Sequence, residues 1–234
     1  MVSKIKGIIG TKVKQSPSLK KLYLKASNGV WGKGYKKKIK GGENQLIFDK
    51  SSFFNNCSIH IIGYNNKVNI ASGTIFNNVK IYIKGSNNTV NIASKVQFNH
   101  GGDIWVEDED CILEIGEKTT FENAHLAVTE PNSKLTIGVD CMFANYIDVR
   151  TGDSHSILDN TTGKRLNPAK NVSIGNHVWI AAHVSILKGS SIADNSVIAT
   201  RSVVTKEFNQ KNILLAGTPA KKIKEDINWD RARL

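Results

Sequence analysis

The feature that most constrains this chain is a count. Phenylalanines stand at Phe54, Phe76, Phe98, Phe121 and Phe143, at steps of 22, 22, 23 and 22 residues. The segments LIFDKSSFFNN, VNIASGTIFNN, VNIASKVQFNH, LEIGEKTTFEN and LTIGVDCMFAN begin at Leu46, Val68, Val90, Leu113 and Leu135 and keep the same steps. Self-similarity at such a period is the mark of a solenoid. Within a unit, apolar residues fall near every sixth position, as in Ile115, Phe121 and Ala127 or Ile137, Phe143 and Val149. From Val172 the rule runs without side loops: Ile174, Ile180, Ile186, Ile192, Ile198 and Val204 are each six apart. A period of six fits neither a helix of 3.6 residues per turn nor a simple amphipathic strand. It fits a triangular coil in which each side is a short strand with one central side chain pointing inward. Clusters such as Gly85-Ser86-Asn87-Asn88 supply corners, where positive φ is least costly. Coils stacked at strand spacing would turn the phenylalanines into a core ladder.

The count fails once. After Leu135 the next coil is due near position 157 and starts at Val172, so about fifteen residues are inserted within VRTGDSHSILDNTTGKRLNPAK. A long loop in a tightly counted solenoid is a functional candidate, and this one carries His155.

Charge divides the chain in two. Residues 1–40 hold twelve lysines and no acid, so all of the net charge of +12 lies there. Such a head can rest on anionic lipid or acidic glycan by charge alone, and a short amphipathic helix from about Ser18 is expected within it. Too few aromatics interleave to suggest nucleic acid. Cys57, Cys111 and Cys141 are scattered and odd in number, as reduced buried thiols are. No apolar run reaches the roughly eighteen residues of a membrane helix, and no secretory signal is read at the N-terminus. The expected location is cytoplasmic, including the inner face of the membrane.

The C-terminal third carries a resemblance. NVSIGNHVWIAAHVSILKGSSIADNSVIATRSVVTKEF followed by LLAGTPAKKIKE resembles the hexapeptide-repeat acyltransferases, and within them the bacterial O-acetyltransferases of sugars and surface polysaccharides, capsule and sialic-acid acetylases included. Ile174-Gly175, Trp179-Ile180, Val204-Thr205-Lys206 and Gly217-Thr218-Pro219-Ala220-Lys221 carry the match. The resemblance implies an all-β, left-handed parallel β-helix. The basic segment would cover residues 1–42 and the helix domain 43–206, with its active-site loop at about 150–171. A C-terminal tail with a short helix would cover 207–234. It further implies a homotrimer transferring acetyl from acetyl-CoA to a sugar or polysaccharide hydroxyl.

The resemblance makes His155 the general base, a role that suits an imidazole removing a proton from a poorly nucleophilic hydroxyl. Asp153 and Asp148 are candidates to orient the ring or hold the acceptor. Asn145 resembles a sugar-contacting asparagine, and Arg150 is a further acceptor candidate. Trp179 would line the acetyl and pantetheine end of the site. Ala182, Thr200, Arg201, Thr205 and Lys206 would border coenzyme A, with Lys221 near its phosphates. Here Ile-Ala-Thr-Arg replaces the commoner Ile-Gly-Ala-Gly. His177 and His183 read as structural. His60, His100 and His125 fall at different offsets within their coils, which argues against a three-histidine metal site, and no metal is expected. An N-acetyltransferase of amino sugars and a non-enzymatic β-helical binding module remain as alternatives.

Overall fold

The structure, a computed structural model, describes residues 34–234; the helix expected from about Ser18 lies outside them. Among the described residues, twenty-five strands form three sheets, one for each side of a triangular prism. The first face holds β1 (Tyr35–Lys40), β4 (Cys57–Ile62), β7 (Val79–Lys84), β10 (Gly102–Glu107), β13 (Ala124–Thr129), β16 (Ile147–Arg150), β19 (Ser185–Ile186) and β22 (Val203–Val204). The second holds β2 (Gln45–Phe48), β5 (Lys67–Ile70), β8 (Thr89–Ile92), β11 (Ile112–Ile115), β14 (Lys134–Ile137), β17 (Val172–Ile174), β20 (Ser191–Ile192) and β23 (Glu207–Phe208). The third holds β3 (Phe53–Asn55), β6 (Ile75–Asn77), β9 (Gln97–Phe98), β12 (Thr120–Phe121), β15 (Met142–Phe143), β18 (Trp179–Ile180), β21 (Val197–Ile198), β24 (Leu214–Gly217) and β25 (Ala220–Lys224). Every strand pairing is parallel except the β24–β25 hairpin. This is a left-handed parallel β-helix.

The expected Phe column is the core. Phe76, Phe98, Phe121 and Phe143 are fully buried, and successive rings lie 5.2, 4.3 and 4.4 Å apart. The Ile174 to Val204 series is buried throughout. Asn56, Asn78, Tyr146, His183 and Arg201 take positive φ at the corner between third and first faces. At another corner Gly116, Gly138 and Gly175 are stacked. A Cβ on Gly138 would come 2.4 Å from the Gly175 carbonyl oxygen, so these coils close only without side chains there. All three cysteines are free and buried, and burial pushes the Cys111 and Cys141 thiols up to about 11.

Three expectations are corrected. First, β1 already pairs with β4 in full register, so the helix starts before the expected boundary at 42/43. Second, Ala127 is not an inward residue. On β13 the inward side chains are Ala124, Leu126 and Val128, and Ala127 is in register with Trp105 and Arg150 on the outer surface. The 22-residue coils differ from the 18-residue ones because their first-face strands have six residues rather than two, with three inward positions instead of one. The corner before β13, Glu122-Asn123, is also one residue shorter than Ala144-Asn145-Tyr146 before β16, so a count of six from Phe121 overshoots inward Leu126 by one, whereas six from Phe143 reaches inward Val149. Third, no C-terminal helix forms. Gly217-Thr218-Pro219-Ala220, with a cis bond before Pro219, turns β24 into β25, and the tail then climbs the corner between second and third faces. Ile227 N–H donates to Asn212 O (3.1 Å), and Trp229 stacks on His177 at 4.1 Å. Arg231 reaches Asp140 Oδ1 (3.1 Å) and Cys141 O (2.9 Å).

Candidate active site

The insertion leaves β16 at the corner between first and second faces and returns to β17. It is short of apolar burial but densely pinned. Asn167, nearly buried, accepts from Ile157 N–H (2.6 Å) and donates to both His155 O and Asp153 Oδ2 (2.8 Å each). Lys188, one coil below, bonds Asp153 Oδ2 (2.5 Å) and Asn167 O (2.8 Å). Glu130, one coil above, takes a two-pronged Arg165 pair (2.6 and 2.8 Å) and the Ala169 N–H (3.1 Å). The Lys188 ammonium holds Asp153 below its ordinary value, and the Arg165 guanidinium does the same for Glu130. The tip turns on Asp159, whose Oδ1 accepts from the Thr161 and Thr162 N–H groups, as a short Asx turn requires.

His155 is thus presented on a fastened frame with its imidazole exposed. Neither candidate orienting carboxylate bonds to that ring in this chain. Asp153 is spent on Lys188 and Asn167, and Asp148 is held by Arg150 at 2.8 and 2.9 Å. Asn167, Glu130, Arg165 and Lys188 were not found as site residues from sequence. The one available signal was Asn167-Pro168 at the end of the loop, a turn dipeptide.

The expected coenzyme residues divide between two places. Thr205 and Lys206 follow β22 at the same corner as the loop, beside a 640 Å³ groove that Lys170 and Lys188 also line. Ala182, Thr200 and Arg201 stand at the corner of third and first faces, where Thr200 Oγ1 donates to Ala182 O (2.7 Å) and Arg201 N–H does so at 3.0 Å. Asn145 is at that corner too, its carbonyl accepting from His183 N–H, with Tyr146 stacked on the His183 ring at 4.9 Å. Lys221 lies on β25, opposite Ala216. Trp179, half-buried on β18, is on the third face, the side of the triangle opposite the loop's corner, 6.1 Å from the Trp229 ring. One chain therefore presents His155 and Trp179 on opposite sides. His177 is structural as expected: its ring nitrogens lie 2.9 Å from Asp140 Oδ2 and 3.1 Å from Trp229 O.

Comparison with known proteins agrees with this architecture. The bacterial transferase hexapeptide profile, six repeats, matches residues 171–206. A polysialic acid O-acetyltransferase of Neisseria meningitidis is 43% identical over 122 residues, 52% of this chain and 56% of that protein. One of Escherichia coli O1:K1 / APEC is 44% identical over 117 residues, 50% of this chain and 38% of that protein. The matched stretch thus spans about half or less of these relatives. Among solved structures, the polysialic acid O-acetyltransferase OatWY superposes with a TM-score of 0.78 at 34% identity, over 85% of this chain and 93% of that one. The polysialic acid-specific acetyltransferase NeuO gives 0.76 at 31%, over 85% and 90%. The chain belongs to the hexapeptide-repeat, left-handed β-helix transferases.

Proposed function

We propose that the protein transfers acetyl from acetyl-CoA to a hydroxyl of an anionic capsular glycan of the polysialic acid type. The observation that carries the reading is His155 itself: an exposed imidazole on a rigidly pinned insertion, in a chain that matches polysialic acid O-acetyltransferases along nearly their whole solved length. His155 takes the proton as the sugar oxygen attacks the thioester carbonyl. The C–O bond forms, the C–S bond breaks, and the proton passes from imidazole to the departing thiolate. The Lys170, Lys188 and Lys206 ammonium groups beside the groove suit the phosphates of coenzyme A.

The site is completed by a neighbouring subunit of a cyclic homotrimer. His155 and Trp179 lie on opposite sides of one prism, and the insertion exposes Ile157, Leu158 and Leu166, each more than half accessible. A neighbour's third face, with its outward Met142, Trp179, Val197 and Leu214, offers an apolar surface for them. The test is transfer of labelled acetyl from acetyl-CoA to polysialic acid by the purified protein. An alkali-labile product is expected. Alkali-stable product would support amide formation, and no transfer to any acidic glycan would reject the reading.

A further inference from the structure

The long first-face strands raise a row of side chains that the helix does not need for its core. Reading the register downward, one outer column runs Lys38, His60, Tyr82, Trp105, Ala127, Arg150. His60 and Tyr82 meet edge to face at 5.4 Å, and the Tyr82 and Trp105 rings, tilted by 30°, lie 4.3 Å apart. Lys80, in the adjacent column, holds its ammonium 5.6 Å from the centre of the Trp105 ring. Below Trp105 the ladder stops because Ala127 has only a methyl group and no ring to continue it. The gap is a depression of 270 Å³ lined by Trp105 and Arg150, and its lining extends to Gly152 and to Ser154, which precedes His155 in sequence. Two buried polar atoms on this face, His60 Nε2 and Thr129 Oγ1, have no hydrogen-bond partner, and Thr129 lines the depression.

We propose that the first face is a track for an extended anionic glycan: the chain runs along the outer side of the His60–Tyr82–Trp105 ladder, one sugar unit seats over Ala127 against Trp105, and the chain is led to His155. The occupant follows from the chemistry of the face. The Trp105 ring, covered by Tyr82 on one side and lining the depression over Ala127 on the other, offers an aromatic plane that attracts the electropositive C–H face of a sugar. The upper end is cationic, with Lys36, Lys38 and Lys40 exposed on β1 and continuous with the lysine-rich head. Of the acids on the face, Glu107 is bonded by Lys84 (2.8 Å) and Asp148 by Arg150; the remaining acid, exposed Asp103, is outweighed by Lys36, Lys38, Lys40 and Lys80, so the charge left to an incoming chain favours an anion. From Lys38 to Arg150 is five register steps, roughly 24 Å at about 4.8 Å per strand, which spans several sugar units. A membrane surface fits less well, since the ladder ends at a depression rather than in a protruding apolar patch.

This rests on the glycan-acetylation reading, and the test separates the two. Tyr82→Ala, Trp105→Ala and Ala127→Leu are compared with the unaltered full chain in native gels containing long-chain polysialic acid or dextran, without acetyl-CoA. Acetyl transfer is then measured on long chains and on short oligomers. Polysialic acid but not dextran is expected to retard the parent protein. Tyr82→Ala and Trp105→Ala should weaken long-chain binding about tenfold and raise the ratio of long-chain to short-chain KM by as much. Ala127→Leu, which fills the depression, should raise KM for both acceptors. Unchanged retardation and KM ratio in all three variants would overturn the track while leaving transfer intact. Dissociation of the oligomer by Trp105→Ala would overturn it as well, by making this face a subunit contact. Parent protein that binds polysialic acid through these residues but transfers nothing would keep the track and reject the catalytic reading.

Discussion

His155 and Trp179 separate two kinds of dependence at the residue scale. The imidazole is exposed, so His155→Ala is expected to fold and assemble normally while turnover falls about 10²- to 10⁴-fold. Steady-state kinetics beside a thermal melt check it; near-parental turnover in well-folded protein rejects the general base. Trp179→Ala should raise the KM for acetyl-CoA or lower turnover with a modest change in Tm, since the indole is only half-buried. Phe121→Ala is the contrast. It empties a fully buried rung between Phe98 and Phe143 and should cost about 3–5 kcal/mol of stability, read from denaturant unfolding, with the site affected only through folding.

The insertion and the tail, as elements, are held by polar clasps rather than by core. The insertion's clasps centre on Asp153 with Lys188 and Glu130 with Arg165, both carboxyls held below their ordinary values of 3.8 and 4.5. For a depressed carboxyl, the stabilisation is fully present above the ordinary value and is lost as pH falls through the lower, folded one. The loop should therefore loosen below about pH 4.5 while the coils persist. Limited proteolysis across 153–167 at about pH 2.5 against pH 7 reads this, and equal protection at both would refute it. Trp229→Ala should release the tail from His177 and Asp140, lower Tm by a few degrees and open residues 226–234 to protease. An unaltered cleavage pattern would show that the strap holds without its indole.

Across the whole molecule, the arrangement to test is a site divided between chains. Thr205 and Lys206 share a corner with the insertion, so a complementation experiment must pair His155→Ala with Trp179→Ala, which stands on the opposite side. Unfolded together in equal amounts and reassembled, the two give about one site in four with both intact halves if the site spans two subunits of a ring. Activity that stays at the level of the separate variants, in preparations shown to contain mixed trimers, rules out the shared site. Removing residues 1–33 should weaken salt-sensitive binding to acidic glycan or liposomes while leaving transfer to a small acceptor. Loss of that transfer, with folding intact, would place the head in the site.

The sequence by itself determined the solenoid, its Phe ladder, the break at 150–171 and the histidine within it. These depend on side chains recurring at fixed intervals, and a period is a one-dimensional property that needs no coordinates. The resemblance in the last coils added the transferase class. Only the tertiary structure decided which residues meet. Asp153 serves Lys188 rather than the imidazole, and Glu130 and Arg165, 35 residues apart, join because neighbouring coils stack. Ala127 faces outward because the corner before β13 is one residue shorter than the corner before β16, and a shift of one residue exchanges the two surfaces of a strand. The tail is a strap rather than a helix because Trp229 finds the His177 ring, 52 residues distant, already fixed at a corner. A period says what lies one coil away; which polar side chain turns toward which depends on contacts between residues far apart in the chain.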